Sequence, residues 1–174
     1  MRKLFLVASF LASLALTSYA QKEKGPSDAE IAHIVVTANQ VDIDAGKLAE
    51  KQGSGKAVKD FGKQMVTDHT AVNKQATELA KKLKVKPEDN KTSADLKKGG
   101  EENVAKLRKL KGKEFDKAYV DNEVTYHQAV LDAVDKTLIP SAQNAELKAL
   151  IEKVRPAFVA HLDHAKKLQA DLGK

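Results

Sequence analysis

Apolar residues in this chain recur at steps of three and four over long stretches, and within those stripes sit ionisable groups. The clearest case is the segment from Phe115 to Val130. Read as a helix, it aligns Val120, Glu123, His127, Val130 and Val134 along one face, so a carboxylate and an imidazole one turn apart lie inside an apolar stripe. His69 continues the stripe of Val58, Phe61, Met65 and Val72, and His161 that of Val154, Phe158 and Leu162. On the first helix Asp42 falls among Ile31, Ile34, Val35, Ala38, Val41 and Ala45. Burying such groups costs several kcal/mol unless they are paired or hold a cation. The pattern therefore demands a bundle with a polar centre.

The boundaries of the helices are written in the punctuation. Ser27 and Glu30 form a capping box that opens a first helix, and Gly53-Ser54-Gly55 ends it in a tight reversal. A second helix is predicted from 56 to 83, followed by a loop in which Pro87 breaks the chain. A third segment starts at a Ser93 cap and reaches about residue 111. Its Gly99-Gly100 pair weakens it by about 1 kcal/mol per glycine relative to alanine, which predicts a broken or short connecting helix. A fourth helix is predicted over 113–138, closed by Pro140. A fifth runs from 141 or 144 to 172, bent at Pro156. Four long amphipathic helices with a short one in the crossover between the second and third long ones describe an all-α, ferritin-like four-helix bundle. Few aromatics (5%), four prolines and no cysteine agree with a helical chain free of disulfides and thiolate metal sites.

The first twenty residues stand apart. Met1-Arg2-Lys3 is a basic start, Leu4 to Leu16 a short apolar run, and Ser18-Tyr19-Ala20 a small-x-small cleavage site, which together predict a secretory signal peptide at 1–20. The run is shorter than the roughly 20 residues of a membrane span, which argues against a retained anchor. The expected mature chain is a tail at 21–26 and one helical domain at 27–172, exported to the periplasm or associated with the outer membrane. The charge of +6 falls to +4 once Arg2 and Lys3 are set aside, which gives no reason to expect nucleic acid. Lys106, Arg108, Lys109 and Lys111 form a local basic run, which reads either as a docking face for an anionic envelope surface or as a solvated helix face.

Imidazole and carboxylate together suit one transition-metal ion, zinc, copper, iron or manganese, with His69, His127, His161, Glu123 and Asp42 as candidate ligands. The same five residues also suit a hydrogen-bonded network that fixes helix register, or a pH response in which acid charges buried imidazoles. The di-iron signature Glu-x-x-His is absent: Glu123 and His127 are four apart and have no second copy. His33 and His164 read as surface residues. No phosphate loop or nucleophile arrangement is visible, so no catalytic residue is assigned and an enzyme is not the expectation.

Met65-Val66-x-Asp68-His69, Gly112-x-x-Phe115-Asp116-x-x-Tyr119 with His127, and Pro156 followed by His161-Leu162-x-x-Ala165 together resemble the domain-of-unknown-function 4142 family. The resemblance covers nearly all of residues 27–172. It implies exported bacterial proteins of ferritin-like fold, often labelled predicted outer membrane proteins, with no settled activity. It also implies His69, His127 and His161 as marked positions, with Asp68, Phe115 and Asp116. Asp42 stands where such proteins commonly carry glutamate, and its reach is shorter by one methylene, which leaves it a ligand or an outer partner.

Overall fold

A computed structural model describes residues 25–173, so the expected signal peptide and most of the tail lie outside the described residues. Among the described residues the main helices are α1 (Asp28–Gln52), α2 (Lys56–Leu83), α3 (Lys91–Leu107), α4 (Gly112–Ala133) and α5 (Ala145–Leu172). The four long ones form the bundle. α1 packs most extensively on α2 and α4 on α5, while α3 lies in the crossover along α1.

Helix starts follow the local chemistry. Ser27 Oγ accepts from Glu30 N–H, and Glu30 returns the bond by accepting from Ser27 N–H at 2.8 Å. Asn144 Oδ1 accepts from Glu146 N–H and Leu147 N–H to open α5. α3 is capped by Asn90, not by Ser93. Ser93 is the third helical residue of an Asn90–Ser93 capping box, which moves the start back three residues.

Glycines set the distances between helices. A Cβ on Gly46 would lie 2.8 Å from the Gly62 carbonyl oxygen, and one on Gly62 would lie 2.7 Å from that of Gly46. The α1–α2 contact is thus backbone against backbone. The same reasoning corrects the expectation of a broken third helix. α3 runs unbroken through Gly99 and Gly100. Gly100 is buried, and a Cβ there would meet the Val41 side chain at 2.7 Å, whereas Gly99 faces open space. Close packing on α1 outweighs the propensity cost.

Pro140 acts differently from expectation. α4 does not run as one α-helix to a stop at Pro140. It widens into a π-helical turn, Val134–Leu138, and ends in the short turn Ile139–Ser141 that contains Pro140. Pro140 has no N–H for the Lys136 carbonyl, and Ile139 N–H reaches back to the Val134 carbonyl instead. α5 continues through Pro156. Just before it, Arg155 forks onto Asp135 of the π turn at 2.6 and 2.7 Å, tying α5 to that irregular end of α4.

Asp116 at the start of α4 is buried. It accepts from Ser54 N–H, Ser54 O–H and Gly55 N–H at 2.8, 2.6 and 2.8 Å, and so clamps the α1–α2 reversal at the N-terminus of α2. Among the described residues no helix is long and apolar enough to cross a membrane.

Candidate metal centre

Asp42 on α1, His69 on α2, Glu123 and His127 on α4 and His161 on α5 meet in the interior, each 3% exposed or less. The three imidazole ring centres are 5.2, 5.5 and 5.7 Å apart. Each ring offers one nitrogen within 4.8 Å of the others, and Asp42, Glu123 and His127 form a second such trio. All five candidate residues are therefore together.

Every imidazole is held by one nitrogen only. Asn39 Nδ2 donates to the Val35 carbonyl, which turns Asn39 Oδ1 towards His69, so His69 Nδ1–H is the donor at 2.6 Å. His127 Nδ1–H donates to the Glu123 backbone carbonyl at 3.0 Å. His161 Nε2–H donates to Asp68 Oδ2 at 2.9 Å. The nitrogens left over, His69 Nε2, His127 Nε2 and His161 Nδ1, are buried and have no hydrogen-bond partner. A donor bond on one side of an imidazole fixes its tautomer and leaves a lone pair on the other, the arrangement found behind metal-binding histidines.

The carboxylates divide their roles. Asp42 Oδ2 lies 3.0 Å from His69 Nε2 and 3.4 Å from His127 Nε2, yet neither carboxylate oxygen completes a hydrogen bond. Burial pushes the Asp42 carboxyl up. The charge and hydrogen-bonding capacity of His69, with His127 and Glu123, outweigh this and hold it at about 2. Glu123 goes the other way, raised well above the usual range by burial and then by the Asp42 charge. Burial lowers His127 and His161, which keeps both rings neutral.

The distances suit a metal. Bonds of about 2.1 Å put neighbouring donors about 3.0 Å apart in an octahedron and about 3.4 Å apart in a tetrahedron, the two separations Asp42 makes.

Two members were not singled out as site residues from spacing. Asn39 lies four residues after Val35 and three before Asp42, a position the stripe itself marks. Tyr119, Glu123 and His127 sit at steps of four; the Tyr119 hydroxyl is buried without a partner, and burial followed by the Glu123 and Asp42 charges raises it well above its usual range. Of the remaining histidines, His33 pairs with Asp89 at 3.2 Å, as a surface residue would. His164 is half-buried, bonded to Gln64 and edge-on to Phe61, and takes no part in the centre.

Bundle and centre together define a class: an all-helical protein whose four long helices enclose a histidine–carboxylate core. Residues 13–168 match the sequence profile of a domain of unknown function, DUF4142, and the chain belongs to that family. No curated protein and no solved structure matches it.

Proposed function

We propose that the protein binds one transition-metal ion, zinc, copper, iron or manganese, through His69, His127, His161 and Asp42. Glu123 stands beside Asp42 as its neighbour or as a fifth donor. Its role is metal or oxidative-stress handling in the periplasm or at the outer membrane, an address supported by the basic start, apolar run and Ser18-Tyr19-Ala20 site. The observation that carries the metal reading is the convergence of three buried imidazoles, each tied down by one nitrogen, beside the buried Asp42 carboxylate, which lies 3.0 Å from His69 Nε2 and 3.4 Å from His127 Nε2. Asp42 is the acid that approaches two of the rings.

A second reading rests on the 3.0 Å approach of His69 to Asp42, which also suits a hydrogen-bonded core network that locks the bundle of a non-enzymatic envelope protein without metal. Elemental analysis of protein recovered from its own periplasm separates the two. One transition metal per chain supports the first reading. Metal-free protein whose melting temperature ignores added zinc, copper, iron and manganese supports the second. Recovery in the cytoplasmic fraction with residues 1–20 intact would remove the proposed address.

A further inference from the structure

A cavity of about 460 Å³ runs between α1, α3 and α4 and ends at the centre. Its outer rim includes the exposed residues Lys91, Thr92 and Thr137, and its inner end is Asp42, His69 and His127. Between them the wall is formed largely by Ile34, Val35, Leu96, Val130, Val134 and Leu138. Glu123 and His161 do not border it, so one side of the centre faces the cavity and the other faces packed protein. The volume is that of a small-molecule site, apolar along its length with convergent polar groups at one end. A second feature points the same way. The π turn Val134–Leu138 supplies part of the wall, and π turns inside α-helices recur at functional sites.

We propose that this cavity takes a small amphipathic anion, a carboxylate with an unbranched apolar tail of medium length, whose head meets the metal beside Asp42. This rests on the metal reading above. Asp42, His69 and His127 border the cavity while Glu123 and His161 lie behind them, so an ion held by the centre turns its open side to the cavity, where a carboxylate head can complete its shell. Without the ion, Asp42 alone would repel a carboxylate there. The aliphatic wall selects the tail, because each methylene buried adds a further increment of binding.

The test is calorimetric titration of the purified mature protein, with and without one equivalent of zinc, using octanoate and acetate as probes. Octanoate is expected to bind the zinc-loaded protein more than about tenfold tighter than acetate, and the metal-free protein not measurably. Ala133→Phe, which projects into the cavity from α4 without touching a metal donor, should keep the zinc stoichiometry and lose octanoate. If that variant does not fold, Thr137→Trp at the exposed rim takes its place. Absence of zinc uptake would remove the premise and this proposal with it. Zinc uptake with octanoate no tighter than acetate would overturn the cavity proposal and leave the metal centre standing. Equal octanoate binding with and without zinc would also overturn it, because the head would not be meeting the ion.

Discussion

Glu123 shows how a single residue sets the pH behaviour of the centre. Its folded carboxyl is held well above the usual carboxylate value of 4.5, by burial first and then by Asp42, so its contribution to stability is complete below 4.5 and is lost as pH rises through the folded value. Asp42 works in the opposite sense: held at about 2 against 3.8, it stabilises fully above 3.8 and loses that contribution only as pH falls towards 2. His127 and His161, lowered by burial from 6.5, stabilise above 6.5 and weaken the fold as acid charges them in the unfolded chain first. In the metal-free protein, Glu123→Gln should therefore gain melting temperature relative to wild type as pH rises from 4.5 to 8. A difference that does not change with pH would contradict the assignment of the neutral acid. That five ionisable groups face inward was legible from residue spacing alone. Which nitrogen of each ring is tethered was not, because His69 is held by Asn39 on α1 and His161 by Asp68 on α2, relations across the fold that no single stripe contains; only the His127 tether, the Glu123 carbonyl one turn back, lies within its own helix.

At the scale of an element, α3 is the instructive helix. Two adjacent glycines look alike in the sequence and predict the same weakness, yet their surroundings differ. Gly99→Ala should raise stability by about 1 kcal/mol, since the added methyl meets nothing within 4 Å and the helix gains propensity. Gly100→Ala should lower it by about 1–3 kcal/mol, since the methyl overlaps Val41 and pushes α3 off α1. Denaturant midpoints of the two variants check this, and equal signs would refute the packing account. Helix α1 runs from its Ser27 cap to Gly53, and α2 starts directly after Gly55, where the local sequence placed them, because capping and glycine turns are local interactions that four or five residues determine. The start of α3 and the π turn of α4 were not readable in the same way. The first depended on Asn90 taking the cap before Ser93, and the second on how Pro140 is accommodated against α5 through Asp135 and Arg155.

On the scale of the whole molecule, the four long helices each deliver at least one polar residue to a shared depth, and the cavity reaches that depth from one side. The outer surface offers a separate feature: Lys106, Arg108, Lys109 and Lys111 cluster around the α3–α4 turn, and all four are exposed. Should the protein dock on anionic lipid headgroups, reversing these four charges will abolish its salt-sensitive binding to phosphatidylglycerol vesicles, and unchanged binding would assign the run to plain solvation. The central claim is the interior one. Its most direct measurement is the metal-to-protein ratio after the purified mature chain is loaded with each candidate ion and desalted, with an X-ray absorption spectrum of the product. One ion per chain in a shell of three nitrogens and at least one oxygen, lost in the His69→Ala, His127→Ala double variant, is the predicted result. No retained ion, or equal retention by the double variant, would contradict it.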